Sequence, residues 1–481
     1  MNTDKILSYF VGTLLTAAVG LVSSSVFTRI FNKVEYGNYS LVMSFILTAN
    51  VFTNQWIQQA INRYLPIQRK EKDVQRIKNT IVFGMCIEST VLLLLSAAAL
   101  PIAFACLDRQ WRPMVLPAAV YLIFANVYCI LGVVLQAEMR ARSYSLLNTS
   151  NAALKLLVSV GAVVYISRSV SSLFWAAALS VFLFIPAFWK KAELASPARV
   201  IREFPIQDYF SGLKDFARYG IPMTVWYISA NILSIGDRYI LQSFRGAGEV
   251  GIYAANYNLV STAAGLMAMP VLLTAHPFLM KAWGMGDKEA AGKWLGRIVE
   301  GVVCFGGLLS VLTWVFSKDL ASWFLGPEFR EGHVIMPVVV AGVVFWQMGM
   351  YSQKPMEFVK ATNSLIVLCF GSALINVISN LILVPRYGYI AAAYTTLASY
   401  AIYFISSFYA GNRILSWRID AVSALTGIAA IVGLFSMVAV ARNHWDGIFR
   451  PAMSLAITMA VCAAISVLYT FHVLSRLRRP M

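Results

Sequence analysis

"LSYFVGTLLTAAVGLVSSSVFT", residues 7–28, is the first long apolar stretch of the chain, and it contains no charged residue. A membrane-spanning helix needs about 20 predominantly apolar residues. The stretch is longer than the apolar region of a cleaved signal peptide, and Lys5 is the one basic residue that precedes it. We therefore expect a retained first transmembrane helix.

Comparable apolar stretches follow along the rest of the sequence. Of its 481 residues, 59% are hydrophobic and 13% are charged, whereas soluble domains carry roughly 25% charged residues. A soluble core cannot absorb so much apolar sequence, because cores split into domains beyond about 250–300 residues. The sequence predicts an all-α membrane protein with about fourteen transmembrane helices. The expected ranges are 7–30, 37–60, 80–106, 114–137, 145–167, 171–189, 219–243, 252–279, 298–317, 333–352, 363–384, 388–410, 420–441 and 450–472.

The basic residues support this arrangement. The chain has 39 Lys and Arg against 22 Asp and Glu, a formal charge of +17. If the N-terminus is cytoplasmic and the spans alternate, 26 basic residues fall inside and 11 outside, while Lys155 and Arg238 lie within spans. Cytoplasmic loops are enriched in Lys and Arg. The bias predicts a multi-pass protein with both termini in the cytoplasm, and it explains the positive charge without a nucleic-acid partner.

The longest cytoplasmic connection separates two groups of six predicted spans. It contains "IQDYFSGLKDFARYG" (206–220), an amphipathic run that predicts an interfacial helix leading into the seventh span. The expected organisation is an N-terminal six-helix half, a linker, a C-terminal six-helix half, and two additional helices with a basic cytoplasmic tail. These regions are 1–190, 191–218, 219–411 and 412–481.

A short repeat relates the two halves. "EYGNY" (35–39) opens the second span and "EVGIY" (249–253) opens the eighth, so the pattern E-x-G-x-Y recurs after 214 residues. Many transporters are built from internal repeats that move against each other around a central site. The position of this match, at the same point of each half, favours such an architecture.

Motifs for catalysis and metal binding are absent from the sequence. It has no G-x-x-x-x-G-K-[ST], no H-E-x-x-H and no G-x-S-x-G pattern. Its four histidines are scattered, and its six cysteines lie far apart in or beside apolar stretches. We expect no catalytic residues, no metal site and no bound cofactor. The sequence is typical of a protein that moves a substrate rather than an enzyme.

Basic residues inside predicted spans need an explanation, because a charge at the bilayer centre costs about 2.5–3.5 kcal/mol. Lys155 lies in the fifth span and Arg238 in the seventh, while Arg29 and Arg63 close the first and second spans. Snorkelling to the headgroups, or an ion pair of Arg238 with Asp237, is the ordinary explanation. The functional interpretation is a hydrated cationic cavity for an anionic substrate, in which Arg binds phosphate in a bidentate manner.

Amides and acids complete the candidate site. Asn54, Gln58 and Asn62 of the second span are spaced four residues apart and share one helix face. Such amides suit sugar hydroxyl groups, although interhelical hydrogen bonds are an equal alternative. The acids that would couple transport to H+ or Na+ are Asp237, Glu88 and Glu300.

Several segments resemble one family of transporters. They are "TRIFNKVEYGNYSLV" (28–42), "SIGDRYIL" (234–241), "GEVGIYAANYNLV" (248–260), "FLGPEFREGHVIMPVVVAG" (324–342) and "VPRYGYIAAAYTTLASY" (384–400). In their order along the chain they resemble the polysaccharide repeat-unit flippases of the Wzx type, which serve O-antigen, capsule and exopolysaccharide synthesis. That family belongs to the MOP superfamily, together with MATE drug exporters and lipid II flippases.

The resemblance implies a MATE-like bundle in the bacterial inner membrane. It implies a flippase that carries undecaprenyl-pyrophosphate-linked oligosaccharides outward by alternating access, with a polysaccharide polymerase and chain-length machinery as partners. Arg29 and the Asp237–Arg238 pair match motif positions of the family. Many Wzx-type flippases have twelve spans, so the two additional spans keep a lipid II flippase as an alternative. A cation-coupled drug exporter is a further alternative, but it would need an acidic cavity.

Overall fold

The computed structural model describes residues 3–67, 71–203, 206–418 and 433. Within these ranges the fold is entirely helical. The long helices are α1 (Thr3–Ile30), α2 (Lys33–Tyr64), α3 (Glu71–Cys106), α4 (Arg112–Ala137), α5 (Ala141–Tyr165), α6 (Val170–Ala192), α8 (Ile206–Arg245), α9 (Ala247–Gly284), α10 (Lys288–Phe324), α11 (Met336–Ser352) and α13 (Thr362–Asn412). The short elements are α7 (Pro197–Glu203), α12 (Lys354–Phe358) and the 3₁₀ turns Leu65–Ile67 and Pro327–Ile335.

All twelve predicted spans that fall on described residues coincide with helices. Predicted spans eleven and twelve form one 51-residue run, α13, which is broken at Gly388 by a backbone conformation of φ 59° and ψ −143°. Only glycine adopts this region readily, because it lacks a Cβ atom. Apart from residue 433, predicted spans 420–441 and 450–472 and the basic tail lie outside the described residues. The predicted all-α fold is confirmed for the residues that the structure describes.

Length and composition alone mark eight of the described helical segments as able to cross a membrane. Helices α2, α8 and α9 are not among them. In α2 the reason is a run of amides on a helix that is otherwise apolar, namely Asn50, Asn54, Gln55, Gln58, Gln59 and Asn62. Polar residues therefore interrupt the hydropathy of a helix that still packs as a member of the bundle.

The chain forms two compact units. The first contains residues up to Ser23 and Asn38–Ile235, and the second contains Ser24–Gly37 and the chain from Gly236 onward. The turn between α1 and α2 thus belongs to the second unit, although most of both helices belongs to the first. The predicted boundary between the halves lies at residues 218 and 219, whereas the units divide within α8.

The packing of α8 explains this difference. The amphipathic stretch 206–220 is not a separate interfacial helix but the start of the 40-residue α8. The ring of Tyr209 stacks on Phe83 at 5.0 Å and that of Phe216 on Tyr64 at 5.9 Å between centroids. A Cβ atom at Gly220 would lie 2.1 Å from the backbone oxygen of Trp56. The first part of α8 is therefore built into the first unit.

The first unit has two apolar layers, named here from the predicted membrane orientation. The inner layer, towards the predicted cytoplasmic end, includes Ile57, Ile81, Met85, Ile130, Leu131, Phe188 and Tyr209. The outer layer includes Ile46, Leu92, Leu122, Ala125 and Phe174. The second unit has its own apolar core, which includes Leu279, Leu295, Ile298, Val299, Tyr351 and Trp417. Polar side chains lie between the two layers of the first unit.

Candidate functional site

Hydrogen bonds from backbone N–H groups connect the turn between α1 and α2 with the segment that follows α10 in the second unit. The backbone N–H of Gly326 donates to Thr28 Oγ1 at 3.2 Å, and that of Lys33 donates to a carboxylate oxygen of Glu328 at 3.1 Å. A Cβ atom at Gly326 would lie 2.0 Å from the carbonyl oxygen of Thr28. The segment 324–342 therefore packs directly against the segment 28–42, which lies about 300 residues earlier.

Arg29 lies at this contact. Its guanidinium donates to the backbone oxygen of Trp323 and to the side chain and carbonyl of Ser25. Trp323 lies in the last turn of α10, where carbonyl groups have no partner within the helix. Arg29 thus links the ends of α1 and α10, as a basic residue at a helix C-terminus is expected to do. Its side chain is also exposed, so substrate binding by Arg29 stays a prediction.

The two E-x-G-x-Y sequences meet at their glycines. A Cβ atom at Gly37 would lie 1.9 Å from the backbone oxygen of Ala247, and one at Gly251 would lie 2.0 Å from the backbone oxygen of Lys33. Both distances are far below contact distance, and both involve backbone atoms. The helix starts of α2 and α9 approach so closely that only glycine fits at the crossing.

The glutamates of the two sequences both occupy the third helical position. Glu35 accepts the backbone N–H of Asn32 at 3.0 Å, while Asn32 Oδ1 accepts the N–H groups of Val34 and Glu35, which is a capping box. Glu249 pairs instead with Arg245 at 2.7 Å and accepts the backbone N–H of Tyr389 at 3.1 Å. Glu249 thereby holds the chain beside the break in α13.

Asp237 and Arg238 are buried in the second unit, with different partners. One carboxylate oxygen of Asp237 accepts the hydroxyl groups of Tyr253 and, at 3.2 Å, Thr396. Arg238 donates to Asn258 Oδ1 at 3.0 Å. Tyr253 is the last residue of the second E-x-G-x-Y sequence. The structure thus joins three of the segments that carry the family resemblance.

Further amides and hydroxyl groups extend from Thr396 along α13. Asn376 donates to Thr396 Oγ1 at 3.4 Å, Asn380 donates to Asn376 Oδ1 at 3.0 Å, and Thr395 donates to Asn380 Oδ1 at 2.7 Å. All four side chains are buried. Asp237 is therefore the acidic end of a continuous polar chain inside the second unit.

In the first unit, the amides of α2 form a network with α4. Asn54 donates to Asn126 Oδ1 at 2.5 Å, Gln58 donates to Asn54 Oδ1, and Thr53 donates to Asn126 Oδ1 at 2.9 Å. Asn54 is fully buried, whereas Asn62 is exposed and outside this network. A hydrogen bond between helices explains why Asn54 is polar. The three amides that were predicted to bind sugars therefore do not form one exposed surface.

Arg63 lies at the predicted cytoplasmic end of α2. Its guanidinium carbon stands 4.1 Å from the ring centroid of Tyr219 and 5.7 Å from that of Tyr64. The side chain is exposed, and within the described part of the chain no carboxylate pairs with it. A guanidinium held by cation–π contacts keeps its N–H donors available for another group.

Lys155 lies midway along α5 and is half-buried. No acid among the residues that the structure describes forms a salt bridge with its ammonium group. Glu88 on α3 and Glu300 on α10 are both buried. They are 212 residues apart, close to the 214 residues that separate the E-x-G-x-Y sequences, so each half carries a buried glutamate at a similar place. A common cavity that all these residues line stays a prediction.

Sequence reasoning missed several partners. The buried side chains of Asn54 and Asp237 form hydrogen bonds with Asn126, Tyr253 and Thr396. Each of these partners looks like an ordinary residue of an apolar helix in the sequence. A weak signal existed for Tyr253, since it belongs to the repeated sequence. Asn126 lies 72 residues from Asn54, and Thr396 lies 159 residues from Asp237, so nothing local could identify these two partners.

A charged network at the predicted cytoplasmic end of the first unit was also missed. The ammonium group of Lys78 lies 2.5 Å from Glu138 and donates to the backbone oxygen of Ala192 at 2.9 Å. Arg140 bridges Glu138 at 2.8 Å and Glu193 at 2.7 Å. The hydrogen bond from Arg140 lowers the pKa of Glu193. These residues join α3 to the ends of α4 and α6.

No group of three or more His, Cys, Asp or Glu side chains that could hold a metal ion exists among the described residues. The polar groups that the structure describes in both units are amides, hydroxyl groups, acids and basic residues. Side chains of these kinds form hydrogen bonds with sugars and phosphates.

Comparison with known proteins places the chain in a family. The family described as polysaccharide biosynthesis protein matches residues 3–283. An uncharacterized membrane protein of Methanocaldococcus jannaschii is 21% identical over 464 residues, which cover 90% of this chain and 87% of that protein. The match to the family extends over more than half of the chain.

Solved structures show the same fold. The lipid II flippase MurJ in an inward closed conformation has a TM-score of 0.76 at 14% identity, covering 98% of this chain and 99% of that one. An inward-facing multidrug MATE transporter of the MOP superfamily has a TM-score of 0.63 at 15% identity, covering 85% and 94%. A MOP-superfamily transporter from Pyrococcus furiosus, described as having a binding pocket of reverse polarity, has a TM-score of 0.60 at 14% identity, covering 86% and 95%.

These solved structures are described as those of a flippase and transporters. The helical bundle, the apolar spans and the family match agree with one another. The chain is a multi-pass membrane protein that has the fold of the MOP-superfamily flippases and transporters, and it belongs to the polysaccharide biosynthesis protein family.

Proposed function

We propose that the protein moves undecaprenyl-pyrophosphate-linked oligosaccharide repeat units from the cytoplasmic to the outer face of the bacterial inner membrane. It does so by alternating access through a cationic central cavity, with both termini in the cytoplasm. Membership of a polysaccharide biosynthesis family supports the substrate class. A polysaccharide polymerase and its chain-length machinery receive the product on the outer side.

The environment of the Arg63 side chain is the observation that supports this proposal. Its guanidinium is exposed, held against Tyr219 at 4.1 Å, and without a carboxylate partner in the described residues. Asn62 is its neighbour, and Gln58 lies one turn before Asn62. A planar guanidinium beside amides matches a pyrophosphate joined to a sugar, because Arg binds phosphate in a bidentate manner and amides bind hydroxyl groups.

Lys155, Arg238 and Arg29 supply positive charge along the path. Lys155 has no acidic partner in the described residues, so its charge is available to a pyrophosphate that passes the middle of the membrane. Arg238 is held by Asn258 and lies beside Asp237. Arg29 also links α1 to α10 and contributes where the path reaches the outer side.

Transport against a gradient needs a coupling ion, and Asp237 is the first candidate for H+ or Na+. Its carboxylate is fully buried and accepts the hydroxyl groups of Tyr253 and Thr396, and Thr396 in turn accepts the amide of Asn376. Glu88 and Glu300 are the other buried acids. An ion bound at an acid compensates a negative charge that the membrane interior disfavours.

The test is accumulation of undecaprenyl-linked oligosaccharide on the cytoplasmic side of cells that lack the gene. Wild-type protein and Arg76→Ala, which alters an exposed arginine on α3, are expected to remove the accumulated lipid. Arg63→Ala, expressed to the same level, is expected to export it on the order of tenfold more slowly, because a hydrogen bond to a charged group contributes about 1.5–3 kcal/mol. Arg63→Lys keeps the charge but loses the bidentate geometry and should be intermediate.

Equal rescue by Arg63→Ala and wild type would remove Arg63 from the substrate path. An absence of accumulation in cells shown to hold no second flippase would overturn the substrate class. The alternative is then a lipid II flippase, since the likeness to such a protein covers 98% of the chain. This alternative is tested by asking whether the protein restores growth to cells that have been depleted of their own lipid II flippase. A cation-coupled MATE-type drug exporter is disfavoured by the basic residues of the predicted path.

A further inference from the structure

A polar layer divides the core of the first unit. On α2, α3 and α4 alike, polar residues stand between members of the outer and inner apolar layers. On α3, for example, Glu88 lies between Leu92 of the outer layer and Met85 of the inner layer. The members of this polar layer are Asn50, Thr53, Asn54, Glu88, Asn126 and Cys129.

Glu88 is the one acid in this layer. Its side chain is 9% exposed, and both carboxylate oxygens are buried without a hydrogen-bond partner in the described part of the chain. The hydroxyl of Thr53 faces it from α2, but that hydroxyl donates to Ala49 and Asn126, each at 2.9 Å. Cys129 faces it from α4. No basic group faces Glu88 from the described helices.

An ionised carboxylate is not stable in this position. A buried charge without a counter-charge or donors costs several kcal/mol, and a carboxyl group avoids this cost by keeping its proton. A metal cation would need several oxygen ligands. Asn126 Oδ1 already accepts hydrogen bonds from Thr53 and Asn54, and Asn54 Oδ1 accepts one from Gln58, so these amides do not supply such a set.

Asp237 of the second unit shows the contrast. It also is buried, but it accepts two hydroxyl donors and has Arg238 as its neighbour, which favours a carboxylate. Glu88 has no basic neighbour, and the hydroxyl beside it, that of Thr53, donates to Ala49 and Asn126. The surroundings of Glu88 therefore offer a carboxylate less compensation than those of Asp237 do.

We propose that Glu88 is a proton-binding site of the first unit. It holds a proton while the polar layer is closed to water and releases it to water when the layer becomes hydrated. The first unit thereby carries one proton through the transport cycle. The role in the cycle rests on the proposed function, whereas the protonation itself does not.

Infrared spectroscopy of the full-length protein in liposomes at pH 7 tests the protonation. The spectrum of wild type minus that of Glu88→Gln is expected to show the carbonyl stretch of a protonated carboxylic acid. Glu71→Gln is the matched control, since Glu71 is an exposed acid on the same helix, and its difference spectrum should show carboxylate bands. Glu88→Asp, which keeps an acid in the layer, should shift the carbonyl band without abolishing it.

Carboxylate bands in the Glu88→Gln difference spectrum would overturn the proposal, because they would show that Glu88 is ionised. If Glu88→Gln does not fold, the Glu88→Asp spectrum decides in the same way. Gln imitates a protonated acid, so Glu88→Gln should bind substrate but export it at least tenfold more slowly in the accumulation assay. Export at the wild-type rate and with the wild-type dependence on external pH would remove Glu88 from coupling.

The two assays separate the two proposals. If deletion of the gene causes no accumulation, the proposed substrate fails while the infrared result still decides whether Glu88 holds a proton. If accumulation occurs and the infrared spectrum shows an ionised Glu88, the flippase stands and the proton site fails.

Discussion

The two E-x-G-x-Y sequences, residues 35–39 and 249–253, share two of their roles and differ in the third. Their glycines both allow the starts of α2 and α9 to cross, and their glutamates both accept backbone N–H groups. Their tyrosines diverge, since the ring of Tyr39 packs on Phe174 at 5.5 Å whereas the hydroxyl of Tyr253 donates to Asp237. The glycines are equivalent because they meet at one helix crossing, whereas each tyrosine meets the different residues that surround its own helix.

The largest effect is expected from the glycines, where the two copies are equivalent. Gly37→Val and Gly251→Val each place a side chain against backbone oxygen at about 2 Å, which a neighbour cannot relieve by changing rotamer. Each should lower the free energy of unfolding by about 1–3 kcal/mol or more. Thermal unfolding of the purified protein in lipid measures this. Gly248→Ala, whose Cβ atom would meet side chains at ordinary contact distance, is the control.

If Gly37→Val and wild type unfold at the same temperature, the helices do not cross as closely as the structure shows. If one glycine tolerates valine and the other does not, the equivalence of the two copies is broken. Loss of stability in Gly248→Ala as well would mean that the whole turn, rather than the crossing, resists substitution.

The tyrosine of the second copy should give the next largest effect. Tyr253→Phe removes a donor from the buried carboxylate of Asp237 and should cost about 1–3 kcal/mol of unfolding free energy. A double-mutant cycle with Asp237→Asn should give a coupling energy of about 1 kcal/mol. Tyr394→Phe, at an exposed tyrosine of α13, should leave stability unchanged. Additive effects in the cycle would contradict a direct bond between Tyr253 and Asp237.

The glutamates should give the smallest effect, and an unequal one. Glu249→Gln weakens the ion pair with Arg245 and the bond to the backbone of Tyr389, so we expect a loss of about 1 kcal/mol. Glu35→Gln keeps an oxygen for the N–H of Asn32 and should cost about 0.5 kcal/mol or less. Chemical or thermal unfolding of both variants compares them. A larger loss for Glu35→Gln would reverse the roles of the two copies.

The helices of the bundle follow from the sequence, because apolar stretches of spanning length and the bias of basic residues are local properties. The break at Gly388 also lies where two predicted spans meet. The continuity of α8 does not follow in the same way. Its amphipathic start looks like a surface helix until Phe83 and Tyr64, more than 100 residues earlier, are seen to pack on Tyr209 and Phe216.

For the candidate site, the sequence identified the charged residues but not their partners. A charged residue in an apolar stretch is easily recognised. Arg63, Lys155 and Asp237 could therefore be selected solely from the free-energy cost of placing a charge in the membrane. The partners of Arg63, Asp237 and Arg238 are tyrosine, threonine and asparagine, which are common in helices and carry no comparable signal. Three amides at helical spacing were expected to act alike, yet Asn54 is buried in a hydrogen-bond network and Asn62 is exposed.

The sequence by itself determined a helical membrane bundle, its predicted orientation and the residues whose charge needs an explanation. These depend on the hydropathy and charge of consecutive residues, which the bilayer sorts directly. Only the tertiary structure decided that Arg29 links two helix ends, that Asp237 accepts two hydroxyl groups and that no basic group faces Glu88 from the described helices. Those properties depend on which side chains meet across the fold, and the solvation of a buried acid is set by those few neighbours rather than by its place in the chain.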